Sequence, residues 1–236
     1  MFYTSHDTIV SVARQRAQKH PSQNYVTFLE DGDNLERKLS YQELDSSASH
    51  IASWLTWQGL EKADRVLVIL PNSVEFVQVF YGCLYGGFLA VPLSEPSSPK
   101  QMQAYLDNFV PTFKTCEPKV IVTTSLLADF IKTQMPPELQ NLFVNVIITT
   151  PQEILASEAA AVNLPRIGVS NVAFLQFTSG STGRPKGIKV THTNIMNNME
   201  QARVFGNWEE GKGTALWLPL FHDFGLAAGL MGAMYN

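Results

Sequence analysis

Apolar positions along the chain switch between helical and alternating periods. Ile9, Val12, Ala13, Arg16 and Ala17 recur at helical spacing, so Met1 to His20 reads as an amphipathic helix that stops before Pro21. Tyr25 to Leu29 and Leu35 to Leu39 flank an Asp-Gly turn at Asp31-Gly32, which predicts a hairpin. Ser40 and Glu43 have capping-box spacing and open a helix that buries Leu44, Ala48, Ile51, Ala52 and Leu55 and ends at Gly59. Arg65 to Leu70 is a short, almost wholly apolar run, as expected of a parallel strand covered on both faces. Pro71 and Asn72 turn the chain, and Ser73 can cap the helix after them. Phe88 to Val91, Lys119 to Thr123 and Val144 to Thr149 read as further strands. The intervening helices carry Tyr105, Leu106 and Phe109, then Leu126, Leu127, Phe130 and Ile131, and Pro111 should break or kink the first of them. The rhythm predicts an α/β fold: a doubly wound, mostly parallel sheet with helices on both faces. From Thr150 to Ser170 the period fades into an Ala- and Pro-containing connection. It divides the chain into a first α/β subdomain, 1–165, and the start of a second, 166–236.

Composition narrows the class. Hydrophobic residues make up 45% and charged residues 16% of the 236, where soluble domains carry about 25% charged residues. Disorder is excluded, and a largely buried sheet fits. Seventeen basic against 21 acidic residues give a net charge of −4, so no electrostatic footprint for nucleic acid exists. Cys83 and Cys116 form no paired ligand motif and read as buried reduced thiols of a cytoplasmic protein. The most lipid-like stretch, Phe76 to Val91, holds Gln78 and three glycines. It falls short of the ~20 residues a membrane span needs, and a core helix followed by a strand explains it better. His6, His20 and His50 lack ligand spacing and are expected at the surface.

The chemistry concentrates in Val172 to His192, VAFLQFTSGSTGRPKGIKVTH. Two β-rich runs, Val172 to Phe177 and Gly187 to Thr191, enclose a loop rich in hydroxyls and glycine. Gly180, Gly183 and Gly187 let backbone approach a ligand closely, and hydroxyls and backbone amides offer donors to an anion. Arg184 and Lys186 add positive charge. That is the make-up of a polyphosphate cradle. A Walker P-loop is excluded because Pro185 stands where its second glycine should be and a strand follows. A nucleophile elbow is excluded because Ser179 stands where its first glycine should be, two residues before Ser181.

FTSGSTGRPKG resembles the phosphate-loop signature of adenylate-forming enzymes, the superfamily of acyl-CoA synthetases, luciferases and peptide-synthetase adenylation domains. Val190-Thr191-His192-Thr193-Asn194 matches the family's continuation, and Leu218 to Leu226, LPLFHDFGL, resembles its next motif. The His222-Asp223 pair, together with FLEDGD (Phe28 to Asp33), LSYQELD (Leu39 to Asp45) and FYGCLYGGFLAVP (Phe80 to Pro92), looks like the fatty-acyl-AMP ligase branch.

The resemblance implies ATP-dependent activation of a long-chain fatty acid to acyl-AMP, with release of pyrophosphate. By similarity Thr178, Ser179, Gly180, Ser181, Thr182, Gly183, Lys186 and Gly187 would hold the phosphates, usually with Mg²⁺, and Thr182 is the hydroxyl expected nearest the metal. His222 would act at the reacting carboxylate and α-phosphate. Asp223 would orient His222, shape the acyl entrance beside Gly225, or cap a helix before Phe224. Partners would be the fatty acid and an acyl carrier protein or a polyketide or peptide synthetase. The acyl-CoA synthetase and a truncated, non-catalytic binding module stand as alternatives. The family's later aromatic-Gly-x-Thr-Glu motif, ribose-binding Asp, hinge and catalytic Lys do not occur, so the chain is expected to be an incomplete, inactive part of the enzyme. An exposed apolar tail at Leu226 to Tyr235 would then favour aggregation.

Overall fold

The computed structural model describes residues 3, 6–96, 101–178, 185–209 and 211–236. Helix α1, Ile9–Lys19, precedes an antiparallel hairpin of β1, Asn24–Leu29, and β2, Glu36–Ser40. Then come α2 (Tyr41–Trp57), β3 (Arg65–Ile69), α3 (Val74–Gly86), β4 (Leu89–Pro92), α4 (Met102–Cys116), β5 (Val120–Thr123) and α5 (Ser125–Thr133). A short α6, Pro137–Gln140, leads to β6, Ile147–Thr149, and α7, Pro151–Leu155. The last part holds β7 (Val172–Thr178), β8 (Lys186–Thr191), α8 (His192–Phe205), a π-helical stretch Gly225–Met231, and α9 (Gly232–Tyr235).

The main sheet runs β6-β5-β3-β4-β7-β8. The first five strands are parallel, and β8 closes the edge as the antiparallel partner of β7. From β3 the chain winds first to β4 and then back past β3 to β5, the two directions of a doubly wound sheet. Alternate residues of β3 explain the layers. Val66 and Val68 pack with α1, α2, α3 and α8, whereas Leu67 and Ile69 pack with α4 and α5. Every position from Val66 to Ile69 is buried, the pattern of a strand covered on both faces. The connection after α7 carries the chain across position 165 to β7, which joins this sheet beside β4.

Local chemistry sets the element ends. Ser40 accepts the Glu43 amide while the Glu43 carboxylate accepts the Ser40 amide, the reciprocal box expected for α2. Ser73 caps α3 through the Phe76 amide, and Gly87, at φ 72°, ends it in the left-handed conformation that glycine adopts without a Cβ penalty. Phe76–Val91 becomes α3 and β4, and no helix among the described residues is long and apolar enough to cross a membrane. Cys83 and Cys116 are free and buried. Burial pushes both thiols up, Cys116 to about 12, so neither is a thiolate near neutrality.

Several expectations need correction. The first helix begins only at Ile9, because Thr8 and Ser11 form a capping box there. The strand expected over Val144 to Thr149 is confined to Ile147–Thr149, and Val144 is exposed. Helix α4 continues through Pro111, which lies on its solvent side, so water can serve the carbonyl one turn earlier. Leu126 is 84% exposed, since α5 turns Leu127, Ala128 and Ile131 inward instead. The start of the 150–170 connection is the capped helix α7. His50 is half-buried and bonds the Ile154 carbonyl and the Ser157 hydroxyl. The apolar tail is not exposed: Leu226, Leu230, Met231, Met234 and Tyr235 are each at most 5% accessible. Exposed apolar surface lies instead at Val204, Phe205, Trp217 and Phe224.

Candidate active site

The site is assembled at the carboxyl edge of the parallel strands, where open α/β sheets bind ligands. Strand β7 delivers Thr178 to that edge, and β8 returns with Lys186 directly across from it. Residues 179–184, which include Ser179, Gly180, Ser181, Thr182 and Gly183, lie outside the described residues. Thr178 and Lys186 therefore mark the two feet of the loop. Lys186 is exposed and makes no ion pair among the described residues. Gly187 pairs with Phe177 across the ladder, and a Cβ there would stand 3.0 Å from the Phe177 ring. Glycine lets the aromatic ring lie across the neighbouring strand.

The second motif is carried to the same edge. Gln176 Nε2, two residues before Thr178, donates to the Phe221 carbonyl at 3.0 Å. Asn72, just past β3, donates through Nδ2 to the Leu218 carbonyl at 2.9 Å and accepts the Leu220 amide on Oδ1 at 2.7 Å. The backbone then turns, with the His222 amide on the Pro219 carbonyl at 3.1 Å. Gly225 fits against that turn, where a Cβ would stand 2.2 Å from the Pro219 oxygen.

His222 and Asp223 are joined at 2.6 Å through Nδ1 and Oδ1. A carboxylate only accepts, so Nδ1 carries the hydrogen in this bond. Asp223 Oδ1 also accepts the Phe224 amide at 2.7 Å, which fixes the carboxylate that orients the imidazole, and the helical stretch after it starts without a side-chain cap. The side chains are 69% and 74% exposed. In that solvated setting the pair contributes orientation more than stability, about 0–1 kcal/mol.

Two hollows of about 410 Å³ each flank β7, one on each face of the sheet. The first has an apolar floor including Phe174, Ile195, Met199 and Met231 and is bordered by Asp223. The second lies beside Phe177, Thr178, Pro185 and Tyr105. Hollows of about 470 and 540 Å³ occur by α1 and by α2, and neither reaches the Thr178/Lys186 hairpin or the His222-Asp223 segment. Volume alone therefore singles out no hollow, and what distinguishes the carboxyl edge is that the two motif segments meet there.

The helical segment after Asp223 is held from behind. Its Leu230 carbonyl accepts the Tyr25 hydroxyl at 2.7 Å, and Tyr25 and Tyr81 hydroxyls meet at 3.1 Å. Tyr25 has one hydroxyl hydrogen, so Tyr81 is the donor in the second bond. Burial raises both phenols far from ionisation. Asn72, Gln176 and Tyr25 escaped the sequence reading, and nothing local marks a side chain that serves backbone far away in the chain.

Residues 13–236 match the family description "AMP-binding enzyme". The chain belongs to that family. It is 32% identical over 217 residues to the long-chain-fatty-acid–AMP ligase FadD32 of Mycolicibacterium smegmatis, covering 89% of this chain and 32% of that protein. It is 28% identical to the medium-chain-fatty-acid–[acyl-carrier-protein] ligase JamA of Moorena producens, covering 97% of this chain and 38% of that protein. A structure of the fatty acyl-adenylate ligases of E. coli and L. pneumophila superposes with a TM-score of 0.85 at 30% identity, over 97% of this chain and 40% of the other. The fold of adenylate-forming enzymes is thus established for this AMP-binding chain, which spans about a third to two-fifths of those curated relatives.

Proposed function

We propose that the chain supplies the phosphate-binding and part of the acyl-binding machinery of a fatty-acyl-AMP ligase. One observation carries the reading: the Thr178/Lys186 hairpin and the His222-Asp223 pair converge on one sheet edge beside an apolar hollow. In the proposed reaction a fatty-acid carboxylate oxygen attacks the α-phosphorus of ATP, the α–β phosphoanhydride bond breaks, and pyrophosphate leaves. The catalytic need is charge neutralisation and in-line positioning. Lys186 neutralises phosphate charge at the foot of the loop, with Thr178, Ser179, Gly180, Ser181, Thr182, Gly183 and Gly187 as its neighbours. His222 faces the reacting carboxylate and α-phosphate, Asp223 fixes the imidazole, and the acyl chain enters the hollow beside Asp223 and Gly225.

ATP is the nucleotide of adenylate-forming enzymes. Mg²⁺ would come with the polyphosphate and meet the Thr182 hydroxyl. No cluster of three or more His, Cys, Asp or Glu that could hold a metal occurs among the described residues. The reading places residues 1–165 and 166–236 in two successive subdomains of one adenylating domain, working in the cytoplasm. The acceptor of the acyl group is a carrier-protein thiol.

The deciding assay is fatty-acid-dependent release of pyrophosphate by the full-length enzyme, with acyl-AMP trapped by hydroxylamine as the hydroxamate. ADP and phosphate as products would refute adenylation. Rapid conversion of acyl-AMP to acyl-CoA on adding CoA would favour the acyl-CoA synthetase instead. The 236-residue chain alone is expected to turn over negligibly.

A further inference from the structure

We propose that Asn72 is the positioning residue for His222, acting through the backbone of residues 218–222. The inference rests on the adenylation reading for its catalytic consequence but on hydrogen bonds alone for its geometry. Asn72 stands at the carboxyl end of β3, the strand at the centre of the winding. Its carboxamide makes two bonds to one short segment, Nδ2 to the Leu218 carbonyl and Oδ1 from the Leu220 amide. A single donor–acceptor plane thereby fixes both the position and the rotation of that segment. No strand supplies partners to residues 218–220, so these backbone groups depend on a side chain. Leu220 is buried as a result, and the next turn is closed by the His222 amide on the Pro219 carbonyl. His222 follows directly, with no packing of its own to set its place, because its side chain is largely exposed. The imidazole therefore inherits its position from the segment, and the segment takes its position from Asn72, with Gln176 holding Phe221 from the other side.

The role differs from that of neighbouring Ser73, which caps α3 and touches none of this. Asn72→Ala removes both bonds. Asn72→Asp keeps an acceptor for Leu220 but sets a carboxylate oxygen against the Leu218 carbonyl, so it should displace His222 as well.

The test combines a spectrum with kinetics. The histidine ring proton–carbon spectrum of the 236-residue protein has five histidines to report on, and His222→Gln assigns the signal of interest. Asn72→Ala and Asn72→Asp should shift or broaden the His222 signal and leave the other four in place. Ser73→Ala should lower the thermal midpoint without moving that signal. In the full-length enzyme, kcat for acyl-AMP formation should fall about 10- to 100-fold in both Asn72 variants, while KM for ATP stays within about twofold in the uncharged Asn72→Ala. An unmoved His222 signal in the Asn72 variants would overturn the proposal. So would five signals moving together, a displaced His222 with unchanged kcat, or an effect confined to KM for ATP. Failure of the adenylation reading shows separately, as ADP among the products, and leaves the spectral test intact.

Discussion

Acid should loosen the base of the phosphate hairpin through His192. This residue opens α8 directly after β8 and is 1% exposed. Its Nδ1 is buried with no hydrogen-bond partner among the described residues, and its backbone amide donates to the Asn171 carbonyl just before β7. Burial without a counter-charge lowers its pKa from 6.5 to about 4. Below pH 6.5 the unfolded chain takes up a proton that the folded chain refuses until about pH 4. The unfolded state binds more protons across that window, so stability rises with pH through it and is complete above it. At about 1.4 kcal/mol per tenfold, the whole window spans about 3 kcal/mol, and the fall from pH 7.5 to pH 5 is about 2 kcal/mol. Urea unfolding of the wild type and of His192→Leu at the two pH values isolates this contribution. The wild type should lose about 2 kcal/mol more than the variant on acidification, whatever the variant's absolute stability. Equal losses in both proteins would show that His192 is not the buried neutral imidazole described here.

Lys186→Ala should weaken pyrophosphate and ATP binding roughly 10- to 150-fold, the worth of a charged hydrogen bond of about 1.5–3 kcal/mol, with Lys186→Arg partly restoring it. Isothermal titration checks this, and unchanged affinity would remove Lys186 from the phosphate site. Gly225→Ala places a Cβ where the Pro219 carbonyl now lies, 2.2 Å away. Either the turn under His222 shifts or the fold loses about 1–3 kcal/mol, so the variant should show a lowered thermal midpoint or a displaced His222 signal, and one with neither contradicts the close approach. Tyr25→Phe strands the Leu230 carbonyl and the Tyr81 hydroxyl in the core. It should cost about 2–4 kcal/mol by denaturant unfolding, against near neutrality if the tyrosine cluster is water-filled.

What the sequence disclosed depended on whether the signal was local. The Ser40–Glu43 box, the Ser73 cap, the apolar run of β3 and the glycine end of α2 at Gly59 each rest on a few adjacent residues, and all were legible. Helix α8 was not, because its cap pairs Thr191 with Asn194 instead of a Ser or Thr with an acid three residues on. The placement of β7 beside β4 was hidden as well, since no turn or spacing announces a strand that returns from far along the chain. The chemistry was legible where the reaction restricts residue type, at the phosphate loop and the His222-Asp223 pair. It was illegible where the requirement is only for a polar plane at the right place, which is what Asn72 and Gln176 provide.

That last class has a physical logic of its own. The 218–221 backbone offers both donors and acceptors and lies at the edge where a polyphosphate is proposed to sit. A lysine clamp would bring donors alone and could be drawn to the phosphates, while a carboxylate clamp would bring acceptors alone and repel them. A carboxamide carries one donor face and one acceptor face and no net charge. Asn72 uses both faces on a single segment, whereas Gln176 uses its donor face and leaves Oε1 buried without a partner among the described residues. An unpartnered carbonyl of this kind costs about 1–3 kcal/mol, yet it keeps charge away from the strand that leads to Thr178. The two clamps therefore hold the histidine segment without altering the field in which Lys186 must act, and substitution of either by a charged residue should disturb phosphate binding even where the backbone stays in place.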